Sequence, residues 1–184
     1  MGGLPPWLLK VNPQMKLRAF DPTYIAAVDR YYKALLPVLR PLLYVNGGPV
    51  IMVQLENEYG SFKPQCTDNG QYKAYLRETF RKALGPDVLL YTTDGCSDYF
   101  LQCGPIPEVF ATCDFGAGEI EKAEANVKEA FASLRRHQLH GPLVNSEYYV
   151  GWFDVWEQAH QTVPIANATK TLDVILSINA SVTL

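Results

Sequence analysis

The sequence predicts an α/β fold in which the strands of a parallel sheet alternate with helices. Short apolar runs of strand length alternate along the chain with longer stretches whose apolar residues recur at the helical period. The apolar runs end in acidic and glycine residues, which is typical of βα units. Because right-handed crossovers place the carboxyl ends of parallel strands at one edge of the sheet, we expect the acidic groups to gather there.

Each predicted element has a local signal. Asp21 and Pro22 supply an N-cap and a first-turn proline for the first helix, and Pro37 and Pro41 are expected to kink or interrupt that helix. Gly85 ends the second helix. In chain order we predict a structured loop over 1–9, a helix over 24–36, strands over 50–58, 88–93, 109–113 and 141–147, helices over 71–84, 119–137 and 165–178, and a final strand beginning at 180.

Composition excludes several classes of function. The chain has 184 residues, of which 48% are hydrophobic and 19% charged, and this is enough for one domain with a sizeable core. A net charge of −3 with mixed signs leaves no basic face for nucleic acid. The three His residues lack metal-ligand spacing, and no apolar run approaches the ~20 residues of a membrane span. We predict no metal, no cofactor and no membrane span, and any secretion signal would lie outside this chain.

Polar side chains cluster at the end of the apolar run that begins at Val50. Gln54, Glu56, Asn57 and Glu58 follow it directly, and catalytic groups gather at the carboxyl ends of parallel strands. The alternative is that these residues only begin a solvated loop, which is the commoner environment of Glu. Strict alternation would also send Asn57 and Glu58 to opposite faces, so the strand must bulge or end for both to serve one site.

Two segments carry a specific resemblance. The sequences GGPVIMVQLENEYGSF, at 47–62, and GPLVNSEYYVGWFDVW, at 141–156, resemble the catalytic segments of glycoside hydrolase family 35, the β-galactosidases. The stretches MGGLPPWLL and LLYTTDG are similar to animal lysosomal-type members. The pattern alone left open an open sheet or part of a barrel. The resemblance implies a (β/α)8 TIM barrel that is incomplete in this chain, with residues 1–184 covering about strands four to eight and the first three strands missing.

The resemblance also implies the site residues. Glu58 matches the general acid/base and Glu147 the nucleophile of a retaining glycosidase, whose two carboxyls lie about 5–5.5 Å apart. Asn57 matches the residue that hydrogen-bonds the sugar 2-hydroxyl, although it could instead hold the strand-end turn. Tyr149 and Trp152 resemble residues lining the galactose pocket, with simple packing as the alternative for each.

The cysteines and sequons are assigned in the same way. The four Cys residues form no CxxC pair and on spacing alone allow a disulfide or free buried thiols. The resemblance implies a disulfide between Cys66 and Cys103, and we therefore expect Cys96 and Cys113 to be free, buried thiols. Asn167 begins a glycosylation sequon, whereas the sequon at 179–181 borders a predicted core strand and is expected to be silent.

The implied function is hydrolysis of terminal β-linked galactose from glycans, glycolipids or glycoproteins in a lysosomal or secreted setting. The alternatives are the same machinery with another exo-β-sugar specificity, and a non-catalytic truncated fragment that binds carbohydrate or a protein partner. A homo-oligomer of the full-length protein is left open. Because a partial barrel exposes sheet edges and interior side chains, we expect this chain alone to be unstable or inactive.

Overall fold

The computed structural model describes residues 3–62 and 70–183, and the chain divides into two compact units. The first unit comprises Met1–Leu55 and Lys63–Leu90, and the second comprises Glu56–Phe62 and Tyr91–Leu184. The sheet contains five strands whose order follows the chain: β1 (Val53–Gln54), β2 (Leu90–Gly95), β3 (Phe110–Asp114), β4 (Val144–Glu147) and β5 (Ser181–Val182).

The first unit is built on a pair of long helices. Its elements are α1 (Trp7–Val11), α2 (Pro22–Leu39), α3 (Gln71–Leu84) and the short strand β1. The Asp21 side chain caps α2 by accepting from the backbone N–H groups of Thr23 and Tyr24, as predicted. Aromatic rings join the two long helices, since Tyr32 meets Phe80 edge to face at 4.8 Å.

The second unit is a layered α/β arrangement. Strands β2 to β5 are parallel to their neighbours, and the register brings Gly95 opposite Asp114 and Asp114 opposite Glu147. Its helices are α4 (Asp98–Leu101), α5 (Ala123–His137) and α6 (Ile165–Ser177). The buried apolar residues of β3 pack with those of α5 and α6, and this core includes Ala111, Cys113, Phe131, Leu134 and Ile175. The register aligns the carboxyl ends of β2, β3 and β4.

Most predicted elements are confirmed, with differences at their ends. Gln71–Leu84 is observed as predicted, and the five predicted strands correspond to the five strands of the sheet. The helix α2 is interrupted before Asn46, as predicted, since it ends at Leu39 and a 3-10 turn that contains Pro41 follows; Pro37 lies inside the helix and does not end it. The predicted strand over 50–58 is much shorter, since only Val53–Gln54 is a strand and the chain then turns at Glu56.

The prediction of free thiols at Cys96 and Cys113 was wrong, because these two residues form a disulfide. Cys113 lies in β3, and Cys96 follows the last residue of the neighbouring strand β2. Their Cα atoms are 5.1 Å apart, which is within the ordinary range for a disulfide. Cys103 is also disulfide-bonded. Its predicted partner, Cys66, lies outside the described residues, so that pairing stays a prediction.

A parallel sheet with helices between its strands is consistent with an incomplete α/β barrel. The assignment of residues 1–184 to one barrel domain, and of its strands to positions four to eight, stays a prediction. Among residues 3–62 and 70–183, no helix has both the length and the apolar character needed to cross a membrane.

Candidate active site

Glu58 lies where the chain leaves the sheet. Its backbone N–H donates to Thr93 O of β2 at 2.9 Å. Its φ of +46° lies in the left-handed region and begins a 3-10 turn over Tyr59–Ser61. Glu56 also has a positive φ, of 63°. The strand therefore ends before Glu56 and Glu58. A strand end was one of the two geometries, a bulge or an end, that would let Asn57 and Glu58 serve one site.

Gly60 fixes the turn after Glu58. A side chain at Gly60 would overlap the backbone of Phe100, so only glycine fits this position. The Gly60 N–H donates to Asp94 Oδ1 at 2.7 Å, and the Asp94 side chain is buried. This contact ties the turn to the end of β2 and gives Asp94 a structural role.

Glu147 is the last residue of β4, and Asn145 holds it there. Asn145 is fully buried, and its Oδ1 accepts from the Glu147 N–H at 3.2 Å. The Asn145 Nδ2 group donates to Phe115 O, just after β3, at 3.0 Å. The ladder between β3 and β4 shifts register between Cys113 and Asp114, so that Glu147 lies opposite Asp114. Glu147 itself is exposed.

Asp114 lies at the end of β3, and both predicted catalytic carboxyls, Glu58 and Glu147, raise its pKa. It is only 2% exposed, and burial is the main cause that raises the pKa of Asp114 to about 7. The charge of Glu58, a hydrogen bond to the Glu58 carboxyl and the charge of Glu147 raise this pKa as well. The Tyr149 hydroxyl donates to Asp114 Oδ1 at 3.2 Å, which opposes the rise.

Tyr149 responds to the same groups. Burial raises the pKa of the Tyr149 hydroxyl, and the negative charges of Asp114, Glu58 and Glu147 raise it further. The structure therefore brings Glu58, Glu147 and Tyr149 to one site around Asp114. Sequence reasoning noted Asp114 only as an acidic strand end and gave it no role. Its signal was the apolar run before it, which predicts burial of the next side chain.

A chain of hydroxyl groups lies behind Asp114. Ser146 Oγ donates to Thr93 Oγ1 at 2.7 Å, and Thr93 Oγ1 donates to Asp114 Oδ2 at 3.4 Å. Thr112 Oγ1 and Ser146 Oγ lie 2.5 Å apart. These residues come from β2, β3 and β4. The three strands are thus cross-linked beneath the acidic groups by polar side chains.

Trp152 lies on the segment that follows β4 and contacts Tyr149. Its ring meets Tyr149 edge-on at a centroid distance of 5.4 Å and is 59% exposed. Both rings line a cavity of about 250 Å³, together with Gly116, Ala117, Gly151 and Gln161–Val163. Gly116 is required beneath this cavity because a side chain there would overlap the Tyr149 ring. The two predicted aromatic residues therefore border one open space.

The remaining predicted residues are less closely placed. Asn57 is exposed in the turn beside Glu58, and its backbone N–H donates to Glu56 Oε2 at 2.9 Å. Asn167 is half-buried in the first turn of α6, and its glycosylation stays a prediction. Within the described part of the chain, no three His, Cys, Asp or Glu side chains are arranged to hold a metal ion.

Comparison with known proteins identifies relatives along the whole chain. The family model described as Glycosyl hydrolases family 35 matches residues 1–184. The proteins named Beta-galactosidase from Canis lupus familiaris and Homo sapiens are 48% and 47% identical to the chain over 184 residues, which is 100% of the chain and 26% of each relative. A Beta-galactosidase-1-like protein from Mus musculus is 46% identical over 182 residues, or 99% of the chain and 26% of that relative.

The chain spans about a quarter of the length of the curated relatives that it matches. Within that quarter the match is continuous, and it includes both segments that carry Glu58 and Glu147. The family model, the extent of identity and the parallel α/β architecture agree, and the chain belongs to glycosyl hydrolase family 35.

Proposed function

We propose that the protein to which this chain belongs is a retaining exo-glycosidase that removes terminal β-linked galactose. The observation that carries the proposal is the convergence of Glu58 and Glu147 on Asp114 and Tyr149 at the carboxyl ends of β2, β3 and β4. Two carboxyl groups flanking one space are what double displacement at a sugar requires. The printed names of the relatives support galactose as the sugar.

Glu147 is the proposed nucleophile. Its carboxylate attacks the anomeric carbon while the glycosidic C–O bond breaks, and a glycosyl ester of Glu147 forms. Exposure at the strand end leaves its carboxylate accessible to substrate, while Asn145 fixes its backbone. Tyr91 is near enough for the Glu147 charge to raise the pKa of its hydroxyl, although burial is the larger cause.

Glu58 is the proposed acid/base. It gives its proton to the departing glycosidic oxygen in the first step. In the second step it takes a proton from water, whose oxygen bonds to the anomeric carbon as the ester to Glu147 breaks. Asn57, in the same turn, is the proposed partner of the sugar 2-hydroxyl, an interaction that strengthens in the transition state.

Tyr149 and Trp152 are the proposed sugar-facing aromatics. Their rings border one cavity, Tyr149 also donates to Asp114, and the faces of aromatic rings suit the apolar C–H side of a pyranose. A β-galactoside is therefore the proposed substrate. An oxidising compartment, lysosomal or secreted, fits the Cys96–Cys113 disulfide.

The test uses the full-length protein with aryl β-galactosides, β-glucosides and N-acetyl-β-glucosaminides. We expect turnover of the galactoside, and its loss in Glu147→Gln. Glu56→Gln is the matched control, since it removes an acid from the same turn that is not assigned to the reaction. If the protein prefers another of these sugars, that sugar replaces galactose in the proposed substrate. If a folded protein turns over none of the three glycosides, the proposal is overturned.

Azide rescue separates the two roles. If Glu58 is the acid/base, Glu58→Ala with azide gives the galactosyl azide with retained β configuration, because azide attacks the glycosyl ester on Glu147. If Glu147 is the nucleophile, Glu147→Gly with azide gives the α product, because azide takes the place of the missing carboxylate. The reverse products would exchange the two assignments.

A further inference from the structure

Asp114 is the buried acid of the site for which the two-carboxylate mechanism has no use. Its carboxyl accepts from the Tyr149 hydroxyl at 3.2 Å and from Thr93 Oγ1 at 3.4 Å, and it is close enough to Glu58 for the charge and hydrogen bonding of that carboxyl to raise the pKa of Asp114. A buried acid without a cationic partner is costly unless it is neutral. The groups that contact Asp114 or raise its pKa are the acids Glu58 and Glu147 and the hydroxyls of Thr93 and Tyr149.

The hydrogen bonding around Asp114 requires a proton between two acids. Tyr149 and Thr93 both donate to Asp114, and neither supplies a hydrogen to Glu58 in these contacts. Two ionised carboxylates cannot hydrogen-bond each other, because both would accept and their charges would repel. A hydrogen bond between Asp114 and Glu58 therefore needs a proton on one of the two carboxyls.

We propose that Asp114 is a positioning residue that shares a proton with Glu58 and, as a neutral acid, donates a hydrogen bond to the Glu58 carboxylate that forms as the leaving group departs. The inference rests on the proposed function. Tyr149 and the hydroxyl chain Ser146–Thr93 fix the Asp114 carboxyl, so that its orientation toward Glu58 is set before substrate binds.

The proton count closes in each step. With two protons on the pair, Glu58 gives one to the glycosidic oxygen and becomes a carboxylate, while Asp114 keeps the other and donates toward it. When water attacks the glycosyl ester, Glu58 takes the proton of the water and the pair again holds two. Asp114 thus stabilises the charge that develops on Glu58 and is not consumed.

The arrangement predicts an alkaline limit to activity. The titratable groups around Asp114 are Glu58 in the turn after β1, Glu147 at the end of β4 and Tyr149 just beyond it. Asp94, the neighbouring acid on β2, is engaged with the Gly60 N–H. Burial and the charges of Glu58 and Glu147 raise the pKa of Asp114 to about 7, so the donor is present below that pH and is lost as the pH rises through it.

The test compares Asp114→Asn with Asp114→Ala in the full-length protein. The amide of Asn keeps a donor toward Glu58 and cannot ionise, whereas Ala removes it. Asp98→Asn, on α4 and outside the site, is the matched loss of a carboxylate. We follow kcat and KM against pH for an alkyl and an aryl β-galactoside, because only the poor alkyl leaving group depends strongly on proton donation.

The proposal expects three results. Asp114→Ala lowers kcat for the alkyl substrate by about 10- to 100-fold, with less effect on KM and on the aryl substrate. Asp114→Asn retains most of kcat, and the alkaline limb of its pH–rate profile moves to higher pH. At about pH 8, an acid with a pKa of about 7 is roughly one-tenth protonated. At that pH, the Asp114→Asn variant therefore keeps up to about tenfold more of its plateau rate than the wild type. Asp98→Asn leaves the limb in place.

A spectroscopic titration keeps the inference testable whether or not galactosides are turned over. Infrared difference spectra of the wild type are expected to contain a buried carboxylic-acid C=O band that disappears near pH 7 and is missing from Asp114→Asn. Absence of that band, or an unmoved alkaline limb in Asp114→Asn, would overturn the role of Asp114. A folded wild type that retains the band but turns over no glycoside would instead overturn the proposed function.

Discussion

Asn145→Ala removes a buried side chain that joins the residue just after β3 to Glu147, the predicted nucleophile at the end of β4. Asn145 is fully buried, and it makes hydrogen bonds of 3.0 Å to Phe115 O and 3.2 Å from the Glu147 N–H. Each hydrogen bond contributes about 1 kcal/mol, and a buried partner left unsatisfied costs about 1–3 kcal/mol. We therefore expect the free energy of unfolding of the catalytic domain to fall by about 2–4 kcal/mol.

The same change should reduce turnover beyond its effect on stability. Without the Oδ1 acceptor, the backbone of Glu147 is no longer fixed opposite Asp114, and a misplacement of about 1 Å can cost about 100-fold in rate. At a temperature where the variant is still folded, we expect kcat for an aryl β-galactoside to fall by about 10- to 100-fold.

The assay is urea denaturation of the full-length protein followed by fluorescence, together with steady-state kinetics. Asn126→Ala is the matched control, because Asn126 is exposed on α5 and the same truncation there should change stability by less than about 0.5 kcal/mol. An Asn145→Ala protein with the wild-type denaturation midpoint and the wild-type kcat would refute the role assigned to these two hydrogen bonds.

Further predictions concern the turn after the acid/base, a surface charge cluster and the disulfide. Gly60→Ala should lower the thermal midpoint and kcat because its Cβ meets the backbone of α4, whereas Gly151→Ala, with open space around it, should leave the midpoint unchanged. Hydrogen bonds from Arg136 and His137 of α5 hold the pKa of Asp98 well below its usual range, so Asp98→Asn should lower the thermal midpoint near neutral pH. That deficit should begin to shrink as the pH falls below about 4 and should disappear only near the much lower pKa of the folded state, where the wild-type carboxylate is also protonated. Cys96→Ala should destabilise the domain by about 3 kcal/mol through a loop of 17 residues, and a Cys96–Cys113 peptide in a non-reducing digest would verify the bond.

The fold could be predicted where the local signal and the tertiary structure agree. Gln71–Leu84 was predicted to its ends because an apolar stripe reaches a terminating Gly85. The strand beginning at Val50 was predicted too long, since apolar residues cannot reveal where the neighbouring strand stops supplying hydrogen bonds. Pro37 lies inside α2 although its ring removes one donor, and nothing in the sequence indicates that the helix tolerates this.

The site could be predicted only in part. The two segments with Glu58 and Glu147 stand out by their motifs, and the structure brings both groups to Asp114. The pairing of Cys96 with Cys113 could not be read from spacing, because four cysteines allow three connectivities and the choice depends on strand order. The contacts of Asp114 also depend on the register between β3 and β4, which no single strand encodes.

The left-handed backbone at Glu56 and Glu58 has a consequence for protein engineering. A non-glycine residue in this region is strained by about 1–2 kcal/mol, and glycine or asparagine would relieve that strain. A redesign guided only by stability would therefore choose these two positions early, and its most stable product would have lost the carboxyl group assigned to proton transfer. In this turn, thermal tolerance and chemistry select different residues, so libraries aimed at robustness should hold positions 56 to 60 constant.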